Sequence, residues 1–179
     1  MYRPSRLAGY SLYELAMTLG LVSVVIGLAL PSFGYLAMDS RLRAETNALF
    51  RAVHLARRES IALRRVVTIC PSVDGQYCDS ANRWSAGWIL FVNNSRAASG
   101  RRDDNEAILR RHSVADGVDI MSNRKSFSFR ATHLRATNGT LTLCDGTGRA
   151  PSRALVVSYT GRPRVARKDR RGRPYRCAH

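Results

Sequence analysis

The sequence predicts an α+β protein in which one long N-terminal helix packs on antiparallel β-sheets. Three observations support this fold class. An uncharged, mostly apolar run extends over residues 15–38, and residues 39–66 contain neither Gly nor Pro, as a continuing helix requires. Short β-branched or aromatic segments between turn residues then fill much of the chain. A length of 179 residues leaves room for one ordinary domain beyond the helix.

The uncharged run is long enough to cross a membrane, because a spanning helix needs about 20 apolar residues. Arg3 and Arg6 precede it and should keep that end on the cytoplasmic side. A secretory signal places its cleavage site after the apolar region. Here Gly9 lies before it, so cleavage after Gly9 would leave the apolar segment attached as a membrane anchor.

Glu14 is the one acidic residue at the head of this run. A carboxylate costs about 2.5–3.5 kcal/mol at the middle of a bilayer, and less near its surface. One interpretation is that Glu14 favours the N-terminus of the helix through the helix dipole. We favour another, in which cleavage after Gly9 frees the amino group of Tyr10 and Glu14 pairs with the amino terminus of a neighbouring subunit.

The stretch Gly9-Tyr10-Ser11-Leu12-Tyr13-Glu14-Leu15 resembles the cleavage motif of type IV prepilins, a Gly followed usually by Phe-Thr-Leu-x-Glu-Leu. The resemblance implies cleavage between Gly9 and Tyr10 by prepilin peptidase, N-methylation of Tyr10, and a role for Glu14 in assembly. It divides the chain into a leader (1–9), a transmembrane and assembly half of the helix (10–38) and a globular domain (39–179). The protein would pass from the inner membrane, with a cytoplasmic N-terminus, through the periplasm to a surface pilus.

Beyond the anchor, the helix should pack an apolar face on the sheets and leave Arg41, Arg51, Arg58 and Arg65 mostly in solvent. Trp84 and Trp88 are expected in the core. Asn138-Gly139 is a hairpin signal before a strand that starts at Thr140. The segments expected as strands are 66–70, 87–92, 107–109, 118–121, 126–129, 140–144 and 154–158.

Four cysteines, all beyond the anchor, suit an oxidising compartment and predict two disulfides. Of the three possible pairings we favour Cys70–Cys78, which closes a short loop, and Cys144–Cys177, which would hold the C-terminal tail. A zinc site is the rival interpretation, but there is no Cys-x-x-Cys and the histidines are scattered. We therefore predict no metal and no cofactor.

The net charge of +16 comes from 27 Arg and two Lys against 13 acidic residues. A GC-rich genome would explain the ratio of Arg to Lys, but not the excess of positive charge. Arginine also binds phosphate through a planar fork that lysine lacks. The excess predicts a polyanionic partner, namely nucleic acid, anionic lipid or polysaccharide.

The order of several landmarks is similar to that of the GspH/FimT family, which contains minor pseudopilins of type II secretion and FimT-like minor type IV pilins. The resemblance implies a pilin-like fold and assembly with other major or minor pilins in a filament. The landmarks are Cys70-x-Ser72-x-Asp74-Gly75-x-x-Cys78, Trp84-x-x-Gly87-Trp88, Leu143-Cys144-Asp145 and Val157-Ser158-x-x-Gly161-Arg162-x-Arg164.

The C-terminal segment 160–177 holds eight basic residues and one acid, and its Gly and Pro content predicts a projecting, turn-rich arm pinned by Cys177. Gly161-Arg162-Pro163-Arg164 resembles the Gly-Arg-x-Arg element by which FimT-like minor pilins bind DNA in natural transformation. The resemblance implies that Arg162 and Arg164 bind DNA. Charge and proximity add the remaining basic residues of the segment: Arg167, Lys168, Arg170, Arg171, Arg173 and Arg176.

The predicted function is therefore capture of extracellular DNA for uptake. Six phosphate contacts on duplex DNA would give a slope of about −5 for log affinity against log salt. Without a base-reading element, binding should be largely independent of sequence. Two alternatives remain: a structural pseudopilin of type II secretion, and an adhesin for anionic polysaccharide or lipid. We predict no enzyme, since Asp103, Asp104 and Glu106 look like an exposed loop cluster and no catalytic set has supporting context.

Overall fold

The computed structural model describes Gly9 and residues 11–94, 100–131 and 136–177. Within these ranges there are one α-helix, one short 3₁₀ turn at Trp84–Ala86 and eight strands. The predicted N-methylation site Tyr10, and the leader before Gly9, lie outside the described residues. The elements are α1 (Leu12–Leu63), β1 (Val66–Pro71), β2 (Trp88–Asn93), β3 (Ile108–His112), β4 (Val118–Ser122), β5 (Phe127–Phe129), β6 (Gly139–Asp145), β7 (Arg153–Val157) and β8 (Pro163–Ala166).

The chain divides into two compact units, Met1–Ala37 and Met38–His179. In the first unit, the Ser11 hydroxyl accepts a hydrogen bond from the Glu14 backbone N–H at 3.2 Å. Ser11 therefore caps the helix, and Glu14 lies in the first turn, where the dipole favours a negative charge. No helix within the described ranges combines the length and the apolar character needed to cross a membrane.

The second unit contains two four-stranded antiparallel sheets. Sheet A has the strand order β3-β2-β1-β5, and sheet B has the order β4-β6-β7-β8. In sheet A, Ile69 pairs with Leu90 on one side and with Phe127 on the other. In sheet B, Leu141 pairs with Leu155 in the centre. In each sheet, a row of paired apolar side chains thus runs across neighbouring strands on the face that lies against the core.

One hydrophobic cluster joins the helix to both sheets. Leu42, Leu49 and Val53 of α1 are at most 1% exposed and belong to the same cluster as the apolar rows of sheets A and B. Trp84 and Trp88 are fully buried, as expected. The predicted α+β architecture, with a long helix packed on antiparallel sheets, is confirmed.

The solvent-facing side of the helix is also as predicted, since Arg41, Arg51 and Arg58 are exposed; Arg65 is exposed too, but lies just beyond the end of the helix. Helix α1 ends at Leu63, and the next residue, Arg64, has the left-handed φ of 52° often found at a helix C-terminus. The strand then starts two residues later, at Val66.

Both predicted disulfides are present. Cys70 and Cys78 are joined with a Cα–Cα distance of 5.5 Å, and Cys144 and Cys177 with one of 5.9 Å. The second bond encloses 33 residues and makes the C-terminal segment the disulfide-bonded loop that the sequence predicted.

Three expectations were wrong. The basic segment does not simply project, because Pro163–Ala166 forms β8, the edge strand of sheet B. Asn138-Gly139 does not join β5 to β6 in a hairpin: β5 pairs with β1 in sheet A, whereas β6 pairs with β4 and β7 in sheet B. Glu106 is 1% exposed, and its carboxylate accepts the backbone N–H groups of Asn94 and Asp103, so it organises its loop.

Candidate nucleic-acid interface

Arg162 and Arg164 lie at the free edge of sheet B. Arg164 is in β8, directly opposite Val156 of β7, and Arg162 is two residues earlier in the chain. Residues two apart in an extended strand point to the same face and are about 7 Å apart. Both side chains are exposed. Arg162, in the turn just before β8, and Arg164 can therefore act as a pair at this edge of the sheet.

A tight turn between β7 and β8 fixes the position of this pair. The Gly161 N–H donates to the Ser158 carbonyl at 2.9 Å, and the Arg162 N–H donates to the Ser158 hydroxyl at 3.0 Å. Gly161 has a φ of +73°, which favours glycine. It is also buried, and a methyl group in its place would lie 3.1 Å from the Cβ of Ala136. The glycine of the Gly-Arg-x-Arg element is thus required by the turn.

After β8 the chain folds back and stays attached to sheet B. Lys168 and Pro174 form an isolated antiparallel bridge, and the Ser152 hydroxyl donates to the Tyr175 carbonyl at 2.6 Å. Cys177 is bonded to Cys144 of β6. Because Cys144 alternates with the core residues Leu141 and Leu143 along β6, its side chain points to the outer face of the sheet. The segment is therefore fastened over that outer face.

Asp169, the acid of the basic segment, shapes its last turn. One carboxylate oxygen accepts the N–H groups of Arg171 at 2.8 Å and Arg173 at 2.9 Å, and the other accepts the Arg173 Nε–H at 3.1 Å. These bonds, the backbone N–H of Arg173 foremost, hold the pKa of Asp169 below its ordinary value. Asp169 is therefore ionised at neutral pH and neutralises part of the Arg173 charge.

An open groove of about 840 Å³ lies between the starts of β6 and β8, the end of β7 and this last turn. Five of the eight predicted DNA-binding residues line it. Arg167, Lys168 and Arg176 are exposed but do not line this groove, and Arg176 borders a smaller depression of about 410 Å³ beside it. The five lining residues are Arg162, Arg164, Arg170, Arg171 and Arg173.

The groove also contains functional candidates that sequence reasoning missed or discounted. Arg124, in the loop between β4 and β5, lines it, as do Tyr159 and Tyr175. Arg124 is 38 residues before Arg162 in the chain and belongs to no basic run, so no local pattern could have identified it. Only the pairing of β6 with β4 and β7 brings it to the groove.

The electrostatic character of the groove is strongly positive. Asp169 is the one carboxylate among the described lining residues, and it is paired with Arg173. The other lining arginines, Arg124 included, form no ion pair within the described part of the chain. Guanidinium groups without acidic partners hold phosphate through charge-assisted, often bidentate hydrogen bonds. This arrangement can bind a polyanion.

Among the described residues, no three His, Cys, Asp or Glu side chains lie together in a way that could bind a metal ion. The carboxylate of Asp74 serves a structural role instead. Asp74 accepts the N–H groups of Gln76 and Tyr77, at 2.8 and 2.9 Å, inside the Cys70–Cys78 loop. These bonds lower its pKa.

Comparison with solved structures places the fold. The crystal structure of the type IV minor pilin FimU of Pseudomonas aeruginosa strain PAO1 in space group P21 matches with a TM-score of 0.54 and 23% identity, covering 72% of this chain and 90% of that chain. Its P65 crystal form gives 0.52 and 22%, covering 69% and 91%. The minor pseudopilin EpsH from the type 2 secretion system of Vibrio cholerae gives 0.49 and 11%, covering 70% and 96%. No curated protein sequence matches significantly.

The family itself is established by sequence. The sequence model described as type II transport protein GspH matches residues 45–161, which is more than half of the chain and runs from α1 to the turn before β8. With this match and the pilin fold shared with FimU, the chain belongs to the GspH/FimT-like family of minor pilins and pseudopilins, whose members are structural rather than catalytic.

Proposed function

We propose that this chain is a minor type IV pilin that binds extracellular DNA, largely independently of sequence, for uptake in natural transformation. The observation that carries the proposal is the groove on sheet B, lined by six arginines and one carboxylate that is itself paired. A groove with this balance of charge fits the phosphate backbone of a nucleic acid.

Binding in this mechanism is electrostatic. Arg162, Arg164, Arg170 and Arg171 would contact successive phosphates, with Arg173 partly occupied by Asp169. Arg167, Lys168 and Arg176, exposed outside the groove, would add to the attractive field. Phosphate contacts position a protein without reading bases, which makes binding tolerant of sequence. The subunit would hold the DNA while the filament that carries it moves.

The N-terminal part of the proposal follows from the prepilin-like motif. Cleavage by prepilin peptidase between Gly9 and Tyr10 would remove the leader, and residues 10–38 would anchor the subunit in the inner membrane before assembly. The domain 39–179 would then face the periplasm and later the cell surface. Glu14 is exposed in the structure, so its carboxylate is free to meet the amino terminus of a neighbouring subunit.

The proposal is tested with a fragment of residues 38–179, since this unit contains the whole core cluster and both disulfides. Fluorescence anisotropy with a labelled duplex should show tight, salt-sensitive binding. Among the described residues, five of the arginines that line the groove form no ion pair, which predicts a slope of about −4.5 for log affinity against log salt. The variant R162A/R164A should bind more weakly, with a slope shallower by about 2.

The matched control is R51A/R101A, which removes the same charge at two exposed arginines away from the groove. Circular dichroism should show the same fold for all three proteins. If R162A/R164A binds no more weakly than R51A/R101A, Arg162 and Arg164 have no part in DNA binding. If the unmodified fragment does not bind DNA even at low salt, the proposed DNA-binding function is wrong. Only the assignment of the chain as a filament subunit then stands.

A second candidate function is a structural role in a secretion pseudopilus, which the description of the matching family as type II transport protein GspH favours. Such a subunit would show no salt-sensitive DNA binding. An adhesin would bind anionic polysaccharide instead. Competition for the fragment between labelled DNA and a heparin-like polymer, compared weight for weight, separates these outcomes.

A further inference from the structure

We infer that Arg124 is a fixed phosphate-binding residue of the groove, so that the nucleic-acid site is built from two separate parts of the chain. This inference rests on the proposed function and extends it beyond the C-terminal segment. Arg124 lies in the loop between β4 and β5 and lines the groove together with Arg162 and Arg164. The Gly-Arg-x-Arg element therefore provides only one wall of the site.

The backbone around Arg124 is held at several points. Its N–H donates to the Ser122 hydroxyl at 3.0 Å, and its carbonyl accepts the indole N–H of the fully buried Trp84 at 3.3 Å. The preceding residue, Asn123, accepts the Thr140 N–H on its side-chain oxygen at 2.9 Å and donates its own N–H to the Thr140 carbonyl at 3.3 Å. The loop is thus tied to the start of β6 and to the core.

The side chain of Arg124 is held as well. Its Nε–H donates to the Asn138 carbonyl at 3.0 Å. Its aliphatic stem passes over Gly139, where a methyl group would lie 2.7 Å from the Cγ of Arg124. Gly139 therefore provides the room for this stem, which is a different use of the Asn138-Gly139 pair from the predicted hairpin. The terminal amino groups of the guanidinium have no partner among the described residues.

A guanidinium held in this way loses less side-chain entropy on binding than one that must first be ordered. Two strand spacings, about 10 Å, separate the start of β6 beside Arg124 from β8, which carries Arg164. Two guanidiniums this far apart can hold different phosphates of one backbone. Arg124 and Arg164 would thus hold the two ends of a short stretch of backbone, with Arg162 beside Arg164.

The experiment measures DNA affinity and its salt dependence for the full-length protein in a nonionic detergent, using a labelled duplex. R124A should lower the affinity about tenfold, as loss of a charge-assisted hydrogen bond does. It should also make the slope against log salt shallower by about 0.9. The matched control R51A, the same charge change on the exposed face of α1, should change the affinity less than twofold at 0.15 M salt because long-range charge effects are screened.

Two further variants separate charge from structure. R124Q keeps part of the stem and a donor for the Asn138 carbonyl but removes the charge, and should bind as weakly as R124A. R124K keeps the charge without the planar fork, and should lie between R124A and the unmodified protein. If R124A and R124Q both bind like R51A, Arg124 is not a contact and the inference is overturned, while DNA binding by the basic segment stands. If the unmodified protein binds no DNA, the proposed function fails with it.

Discussion

At the scale of single residues, Gly161 connects the fold to the candidate site. Its φ is +73°, and a methyl group in its place would lie 3.1 Å from the Cβ of Ala136 and 3.2 Å from the Cδ1 of Phe129, so these neighbours would have to shift. We expect G161A to destabilise the protein by about 2–3 kcal/mol, through backbone strain and crowding together. Urea unfolding of the 38–179 fragment measures this change.

Gly172 provides the matched comparison for Gly161. It has a similar φ of +76°, but a methyl group there meets nothing within 4 Å. G172A should therefore cost only the strain of the left-handed conformation, about 1 kcal/mol. Equal costs for G161A and G172A would show that packing under the β7–β8 turn contributes nothing.

Asp169 has two opposing effects on the groove. Its carboxylate builds the turn that carries Arg171 and Arg173, but it also places a negative charge beside the binding surface. D169N retains the oxygen that accepts both N–H groups and removes the charge, which releases the Arg173 guanidinium. We expect D169N to bind duplex DNA about threefold more tightly, by the modest energy of an exposed ion pair. Anisotropy at 0.15 M salt measures it.

D169A separates the two effects of Asp169, since it removes the acceptor as well as the charge. If the turn positions the arginines, D169A should bind DNA more weakly than D169N. Weaker binding by D169N than by the unmodified protein would contradict the idea that this carboxylate opposes DNA. The sequence counted Arg173 as a free contact because nothing in the linear pattern indicates that Asp169, four residues earlier, accepts its Nε–H.

At the scale of elements, the Cys144–Cys177 disulfide is one of the attachments that hold the basic segment on sheet B. Closing a loop of 33 residues stabilises a protein by about 4 kcal/mol in the chain-entropy model. The variant C144S/C177S should lose stability of this order and bind DNA several-fold more weakly, because the arginines beyond β8 must then be ordered on binding. Thermal unfolding and anisotropy measure the two effects.

The Cys70–Cys78 disulfide provides the control for the variant that lacks Cys144–Cys177. It closes a loop with a sequence separation of eight at β1 of sheet A. C70S/C78S should therefore lower the free energy of unfolding by about 2.5 kcal/mol. Its DNA affinity should be unchanged, since neither cysteine nor the loop between them lines the groove. A loss of affinity in both variants to the same degree would mean that general stability, rather than attachment of the segment, controls binding.

Elements with strong local patterns could be predicted from the sequence. Strands β1 to β7 follow from apolar runs and turn residues, and helix α1 from the uncharged run and the absence of Gly and Pro from residues 39–66. Each lies within a few residues of its expected place. Strand β8 could not be predicted, because Pro163-Arg164-Val165-Ala166 is short, begins with a proline and lies inside a basic, turn-rich segment. It exists because β7 presents a free edge, and an edge strand tolerates proline.

The groove residues also divide into those that a local sequence pattern predicts and those that depend on the fold. The basic residues near the C-terminus could be recognised because they are neighbours in the chain. Arg124 and Tyr159 could not, since their approach depends on the order of strands in sheet B. Glu106 was taken for part of an exposed cluster because it is close to Asp103 and Asp104 in the chain. Those two residues are exposed, whereas the carboxylate of Glu106 is buried and accepts backbone N–H groups.

At the scale of the whole molecule, carboxylates that accept hydrogen bonds connect segments of the chain and stabilise loops. Asp39 of α1 is 2.8 Å from Arg153 of β7, and this hydrogen bond is the main cause that lowers the Asp39 pKa. The Arg83 guanidinium lowers the pKa of Asp79 to about 2. Burial acts to raise the pKa of Asp145, but four hydrogen bonds from residues 147–150 outweigh it and the pKa is lowered.

These shifts predict how stability depends on pH. A carboxyl whose pKa is lower in the folded state than its unfolded value of 3.8 stabilises the fold above that value. The contribution is lost as the pH falls through the folded pKa, which for Asp79 is about 2. We therefore expect the thermal midpoint of the 38–179 fragment to fall between about pH 4 and pH 2, with no contribution from these groups between pH 5 and 8.

The expected loss of stability at low pH can be assigned to particular residues by thermal unfolding, followed by circular dichroism at pH 7, 5, 3 and 2. D79N removes the carboxyl with the most strongly lowered pKa, so the variant should start less stable at pH 7 and lose less between pH 4 and pH 2 than the unmodified fragment. Because Asp79 lies outside the groove, D79N should bind DNA normally at pH 7. A midpoint that stays constant down to pH 2, or that falls equally in both proteins, would contradict the assignment of acid sensitivity to these carboxylates.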